Sequence, residues 1–420
     1  MDGPDAKRVL IASHEWEVEQ PGGAQRSAVA LAHALTAVGG IDVTLVSAVA
    51  HMPDDLPDGR LGRPQGFDER LVVSRTDATL FTWTDPHQAD GWANVLREIQ
   101  PDVVHMHHYF HVGIDLPVLV RRCVPHAGLV LTLHEYLAIC LRSGQMVDGA
   151  RNLCTTSGTR RCADCVGWST DAVAARADYV RRGLADVDVF ITPSAFARGR
   201  YRDWFAGADE EPDIRVIPNA LTFPELEIRP ERAEGALRLA YIGQHTPSKG
   251  LGLLLAAVAL AERDRPGVLA RVDVYGDGSD RFDEAFHTEL MAGIASASPL
   301  VQARGRYAQD DLPAILDDVD AVVVPSTWWE NSPVVIEEAL ARRVPVICSD
   351  IGGMAERVRD GVDGWHFAVG NSSSLAEVIG RVADAASATL PGMRRPTSVA
   401  TVVQEHLVAY SDSIAKSTRG

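Results

Sequence analysis

Lysine is almost missing from this sequence: three residues, Lys7, Lys249 and Lys416, stand against 37 arginines. The bias reads most simply as a GC-rich genome, and it makes Lys249, which lies in a loop between a strand and a helix, worth following. A positive excess is missing as well. The net charge is −17, which argues against a nucleic-acid partner, since such a partner calls for a basic face. No hydrophobic run is long enough to span a bilayer; the longest, LGLLLAAVALA, covers 251–261, about half of what a crossing helix needs. Membrane contact is therefore expected to be peripheral at most, with an arginine cluster at 176–182 as its local argument. The opening MDGPDAKRVLIAS lacks the basic, apolar and cleavage regions of a signal peptide, so the expected location is cytoplasmic. In that reducing compartment the six cysteines read as thiols or metal ligands rather than disulfides. Low-complexity segments are absent, and no repeat exceeds a loose halving of the chain. There is no G-x-G-x-x-G turn either, which argues against a nicotinamide dinucleotide site.

What is present is regular. With 420 residues, 46% hydrophobic and 23% charged, two globular domains are the natural expectation. Short apolar runs alternate with helical periods: RVLIAS (8–13), DVTLVSA (42–48), DVVHMHH (102–108), GLVLTLH (128–134), DVFITPS (188–194) and IRVIPN (214–219), then LRLAYIG (237–243), ARVDVYGDG (270–278), AVVVPS (321–326) and VPVICS (344–349). Helices are expected at 24–39 and 251–264. Apolar strands joined by helices imply parallel sheets covered on both faces, an α/β class. The boundaries read as a Rossmann-like domain over 1–220, a Pro-, Glu- and Arg-rich linker over 221–236, a second such domain over 237–397, and a final helical segment over 398–420 returning to the first domain. Open α/β sheets bind ligands beyond the carboxyl ends of their strands, so two facing sheets would line a cleft with strand-end loops.

Three loops carry the chemistry. In TWWENSPVVIEEALA (327–341), Ser332 and Pro333 read as an N-cap and a first helical proline. The helix start favours an anion, and Glu330 and Glu338 are spaced to meet separated hydroxyl groups of one ligand. Ordinary surface glutamates at a helix start would leave the same pattern. In YIGQHTPSKG (241–250) Lys249 can meet a phosphate as a point charge, or simply face water. In PGGAQ (21–25), Gly22 and Gly23 allow close backbone approach at another helix start. The Asp-x-Asp pairs at 186–188 and 318–320 read as turn residues.

Cys140, Cys154, Cys162 and Cys165 end in a C-x-x-C spacing inside an insertion, 137–170, rich in Gly, Ser, Thr and Arg. Four soft ligands can close a structural zinc site; reduced, unliganded thiols are the other reading. HMHHYFH (105–111) is not read as a metal site, and Cys123 and Cys348 read as buried small residues.

ENSPVVIEEALARRVPVICSDIGGMAE resembles the signature of the family 4 retaining glycosyltransferases: Glu, seven residues, Glu, then EAL and a PV strand. YIGQHTPSKG, PGGAQ, TLHEY (132–136) and DGVDGWHF (360–367) resemble that family's diphosphate segment, N-terminal glycine loop, Thr-x-His motif and closing turn, in order over nearly the whole chain. The resemblance implies a GT-B fold, two facing Rossmann-like domains with the nucleotide sugar held mainly by the second. It implies that Glu330 holds hydroxyls of the transferred sugar, Glu338 the ribose, and Lys249 the diphosphate. Asn331, Ser332 and Pro333 would lie beside sugar and phosphate, Gly23 near the phosphate, His134 near the reacting sugar, and Arg306 and Tyr307 beside the base. Gln244 stands where many members have an arginine. The implied reaction moves a hexose or N-acetylhexosamine from a nucleotide sugar, UDP-linked by family frequency, to a small-molecule, glycan or lipid acceptor, with no catalytic metal. A pseudo-glycosyltransferase joining a nucleotide cyclitol to an amine, and a non-catalytic sugar-nucleotide-binding protein, are the alternatives.

Overall fold

The computed structural model describes residues 6–16, 22–150, 152–156, 158–206, 211–221, 235–281, 283–384, 390 and 392–418. Most of the expected linker, 222–234, lies outside the described residues. The chain divides into two compact units, Met1–Thr222 with Thr397–Gly420, and Phe223–Pro396.

Unit 1 begins with β1 (Arg8–His14), α1 (Gly23–Val38) and β2 (Asp42–Val49), continues with the edge strand β3 (Arg60–Gly62) and its neighbour β4 (Asp68–Val73), then α2 (Gln88–Ile99), β5 (Val103–Met106), α3 (Leu116–Cys123) and β6 (Gly128–Thr132). It goes on through α4 (Thr159–Val166), α5 (Thr170–Gly183), β7 (Val189–Thr192), α6 (Ala195–Phe205) and β8 (Ile214–Val216). The sheet order is β3-β4-β2-β1-β5-β6-β7-β8, and every pairing but β3 with β4 is parallel. Parallel strands sheathed by helices bury both faces, which is why Val9, Leu10, Ile11 and Ala12 of β1 are all fully covered.

Unit 2 holds β9 (Leu237–Ile242), α7 (Leu251–Asp264), β10 (Leu269–Tyr275), α8 (Glu284–Ser296), β11 (Val301–Gly305), α9 (Leu312–Asp317), β12 (Ala321–Val324), α10 (Val334–Ala341), β13 (Val346–Ser349), α11 (Gly352–Arg357), β14 (Gly364–Phe367) and α12 (Ser372–Asp384). Its six strands are all parallel in the order β11-β10-β9-β12-β13-β14. The last helix, α13 (Val399–Ser417), packs on β6 of unit 1. It puts the Tyr410 hydroxyl 2.9 Å from His105 Nδ1 and adds Val402, Val403, Ala409 and Tyr410 to that core.

Both orders reverse direction once, between β1 and β5 in unit 1 and between β9 and β12 in unit 2. At such a switch point the loops leaving two adjacent strands run to opposite faces and open a crevice. The strands that sequence patterning missed are β3, β4, β11 and β14. Three of these are sheet edges, and in β11 Gln302 is partly exposed and Ala303 to Gly305 are exposed, so the hydrophobic pattern is weak there. Two further corrections concern local detail. Pro333 is the N-cap of α10, with ψ at 120°, and no side chain caps that helix; Ser332 therefore sits one place further out than expected. Cys123 is only partly buried, whereas Cys348 is fully buried.

Candidate active site

The switch point of unit 2 is assembled from the loops after β9 and β12. Gly250 links a short 3-10 turn, Pro247–Lys249, to α7 at φ +73°. A Cβ there would lie 1.9 Å from the Pro325 carbonyl oxygen, so only glycine lets the two loops touch. Thr327 N donates to Ser248 O at 2.8 Å, closing the contact. Lys249 Nζ consequently reaches Glu330 Oε1 at 2.7 Å. The same oxygen accepts from Ser326 Oγ at 2.8 Å and from Trp328 Nε1 at 2.9 Å. Among the described residues no donor reaches the other oxygen, Oε2. The Glu330 side chain is 7% exposed and that of Lys249 29%, so the carboxylate is fixed from below while the ammonium keeps access to solvent. Trp328 also sets its ring 5.6 Å from Lys249 Nζ, a cation–π contact that further restrains the lysine.

The backbone of this loop is held by its neighbour across β13. Gly353 N donates to Glu330 O at 2.8 Å, and a Cβ on Gly353 would fall 1.7 Å from Asn331 O. Asn331 is buried, and Ser332 and Pro333 are partly exposed. Glu338, buried on α10, accepts from Gln309 Nε2 at 2.9 Å, while its neighbour Glu337 is bound by Arg357. Arg306 stands 3.3 Å from Asp277 Oδ2, and Tyr307 meets the Tyr275 ring edge-on. Gln244 is exposed, its carbonyl taking the buried Tyr241 hydroxyl at 2.7 Å.

At the switch point of unit 1 the chemistry is different. His14 ends β1 and its ring lies 4.3 Å from that of His108, just beyond β5. Gln25, on the first turn of α1 after its cap Gly22 and the exposed Gly23, places Nε2 3.1 Å from His14 Nε2 and donates to Glu15 Oε2 at 3.2 Å. His134, beyond β6, sets Nε2 3.2 Å from His107 Nδ1. His105, within β5, also contacts Thr132 Oγ1 at 2.8 Å. Burial disfavours the charged form of each imidazole: it pushes His14 down to about 3 and His134 down to about 4, and His105, His107 and His108 well below the ordinary range. Burial has the opposite effect on a carboxyl, and pushes Glu135 up to about 7.

Cys140, Cys154, Cys162 and Cys165 come together around one cavity of about 320 Å³. Among the described residues, however, no three His, Cys, Asp or Glu side chains stand within range of one ion. Cys162 and Cys165 are one turn apart on α4, but Cys154 Sγ turns to Thr156 O at 3.0 Å. The structural zinc is therefore without support among the described residues, and the four thiols line one cavity. Asp188 and Asp320 are taken by arginines, Arg121 at 2.8 Å and Arg238 at 2.9 Å. No helix among the described residues is long and apolar enough to cross a membrane.

Trp328, Ser326, Gln309 and Gly353 escaped the sequence reading, as did His14 and Gln25. The doublet Trp-Trp ahead of Glu330 was visible, but a ring N–H aimed two residues onward is a matter of geometry.

Comparison with known proteins covers both units. A family model described as Glycosyltransferase Family 4 matches residues 21–222, and one described as Glycosyl transferases group 1 matches 236–385. Among curated proteins, glycogen synthase of Mycobacterium tuberculosis is 26% identical over 290 residues, 69% of this chain and 61% of that protein. The D-inositol 3-phosphate glycosyltransferase of Actinosynnema mirum is 34% identical over 169 residues, 39% of this chain and 38% of that protein. The matched stretches thus span less than two thirds of these relatives. Among solved structures, the Anabaena protein HepE in complex with UDP and glucose superposes with a TM-score of 0.65 at 16% identity, covering 96% of this chain and 99% of that one. Sucrose-phosphate synthase from Thermosynechococcus elongatus gives 0.65 at 17% identity, covering 98% of each. The structural likeness concerns the fold, which is GT-B.

Proposed function

The chain belongs to the family 4 glycosyltransferases, and from that premise we propose that it moves a hexose or N-acetylhexosamine from a nucleoside diphosphate sugar to an acceptor hydroxyl, with retention at the anomeric carbon. The observation that carries this reading is the Lys249–Glu330 pair at the switch point of unit 2. Lys249 has three N–H donors and spends one on Glu330, so the others are available to a diphosphate. Glu330 has one oxygen filled by three donors, which leaves Oε2 to accept from sugar hydroxyls. Glu338, Asn331, Ser332, Pro333, Gln244, Arg306 and Tyr307 complete the unit 2 donor site in this proposal, with Glu338 toward the ribose.

In the proposed reaction the bond from the anomeric carbon to the phosphate oxygen breaks, and the acceptor oxygen bonds to the same face. The acceptor's proton goes to the departing phosphate oxygen. The protein's work is to orient the two substrates and to stabilise the negative charge that grows on the leaving diphosphate. UDP-sugars are the favoured donors, and HepE, of the same fold, is described in complex with UDP and glucose. A screen of uridine, guanosine and thymidine diphosphate sugars by thermal shift, followed by product analysis, tests the reading. A UDP-sugar should raise the melting temperature most and yield a glycoside retaining the donor's anomeric configuration. Inverted product, or no stabilisation by any nucleotide sugar, refutes it; an amine-linked cyclitol product would favour the pseudo-glycosyltransferase.

A further inference from the structure

The insertion that follows His134 gathers four thiols, Cys140, Cys154, Cys162 and Cys165, around one cavity of about 320 Å³, and nothing in the proposed transfer uses them. Two of the four are already settled. Cys154 Sγ donates to Thr156 O at 3.0 Å, and burial pushes the Cys140 thiol up, which keeps it protonated. Cys162 and Cys165 are different. Both lie on α4, three residues and one turn apart, both line the cavity, and both are partly exposed. Residues at that spacing bring their Cβ atoms to about 5–6 Å, and a disulfide calls for about 3.5–4.5 Å, so a small tightening of one turn joins them. The helix end leaves room for it. Cys165 is the last residue but one of α4, and a Cβ added to its left-handed cap, Gly167, would meet nothing within 4 Å. A zinc shell asks for more, four sulfurs at about 2.3 Å from one point; two sulfurs need only each other.

We infer that Cys162 and Cys165 are a reversible dithiol–disulfide couple, a modification site for low-molecular-weight disulfides, and that its state is felt by the turn after His134. One thiolate of the pair attacks a sulfur of the small disulfide, releasing one thiol and leaving a mixed disulfide; the other thiolate then displaces the second thiol. Two protein thiols are oxidised, one disulfide is reduced to two thiols, and the two thiol protons pass to the released thiols. A cavity of about 320 Å³ is of the size that admits a small molecule. A bridge that tightens a helical turn is a strained one, and strained disulfides are readily reduced, which is what a reversible couple needs. The link to the turn runs through α5, which packs on α4 and carries the buried Arg176. That guanidinium donates to Leu137 O at 2.7 Å and to Ala138 O, and Cys140 N donates to Tyr136 O at 2.8 Å. Residues 136–140 are thus anchored in the helix pair that the bridge would distort.

The test uses the full chain, reduced, freed of reductant and equilibrated with mixtures of reduced and oxidised glutathione before free thiols are alkylated. Trypsin cuts after Arg161 and Arg176, so one peptide, 162–176, carries both cysteines. In the oxidising mixture that peptide should carry no alkyl group and weigh two hydrogen atoms less, and dithiothreitol should reverse the change. Hydrogen exchange of residues 134–144 should be faster in the bridged chain. Cys165→Ser should lose the bridge and hold glutathione on Cys162 instead, whereas Cys154→Ser should keep the bridge; both should melt with the reduced wild-type chain. Mapping of the wild-type chain decides the matter even if a variant fails to fold. A peptide alkylated on both cysteines at every ratio, a bridge to Cys140 or Cys154 in its place, or one equivalent of zinc held by the reduced chain overturns the inference. A bridge that leaves exchange in 134–144 unchanged overturns its link to the turn. No sugar nucleotide enters either measurement, so the outcome is separate from that of the transferase reading.

Discussion

The two units share a plan and differ in what they put on it. Each reverses strand order once, between β1 and β5 or between β9 and β12, and each brings the loops of those strands together. Unit 2 fills its crevice with an ion pair, Lys249 on Glu330, backed by Ser326 and Trp328. Unit 1 fills its own with imidazoles that burial keeps neutral, beside a carboxyl, Glu135, that burial pushes up to about 7. Topology decides where a ligand can sit, and side chains decide what it can be. A charged crevice suits a diphosphate; a neutral, hydrogen-bonding one suits hydroxyls.

The largest expected break in that contrast is Lys249→Ala. It removes the cation of unit 2 and should lower kcat by about 10²–10³-fold, the scale of losing one preorganised electrostatic donor, with the acceptor KM little changed. Steady-state kinetics with both substrates varied would show it; a pure rise in acceptor KM would move the lysine to the wrong half of the reaction.

Acid should separate the units next. The buried imidazoles His14, His105, His107, His108, His134 and, on α13, His406 have folded pKa values below their ordinary 6.5, with His14 at about 3 and His134 and His406 at about 4. Between those values and 6.5 the unfolded chain binds more protons than the folded one, so stability falls as pH drops through that window. Glu135, raised to about 7 from 4.5, works the other way, gaining stability as pH falls, but it is one group against several. In unit 2 burial opposes ionisation of Asp363, yet Arg359 and Arg394 hold it down at about 2, so that carboxylate keeps its partners far into acid. Hydrogen exchange at pH 5 should therefore show β1, β5 and β6 losing protection before β9 and β12; simultaneous loss would mean the histidine cluster does not govern acid stability.

The smallest effect is expected from Trp328→Phe, which keeps the ring over Lys249 and deletes one donor to Glu330. About 1 kcal/mol, roughly fivefold in kcat, is the scale for one hydrogen bond, read by the same kinetics. No change at all would make the indole nitrogen incidental to the carboxylate's position.

Much of this was legible in the sequence, for a physical reason. Buried parallel strands are apolar runs, so β1, β2, β9 and β12 stood out, and α7 could be placed at 251–264 from its composition. Lys249 drew notice because lysine is so rare here, and Glu330 and Glu338 through their spacing. Edge strands such as β14, GWHF, read as a turn because they lack an apolar pattern. Gly353 was unremarkable until its missing Cβ proved to be the space that Asn331 O occupies. The cysteine spacing suggested a closed metal site, but spacing along a chain does not say which way each sulfur turns. The histidines of HMHHYFH were visible as a run; that His14 and Glu135 join them from other strands is a property of the sheet order.

The account's central claim is that the unit 2 switch point holds the nucleotide diphosphate. Hydrogen exchange of the wild-type chain with and without UDP tests it most directly. The account predicts slower exchange in 243–250 and 326–334 with UDP bound. Exchange unchanged in both loops, at a UDP concentration that stabilises the protein, would contradict it.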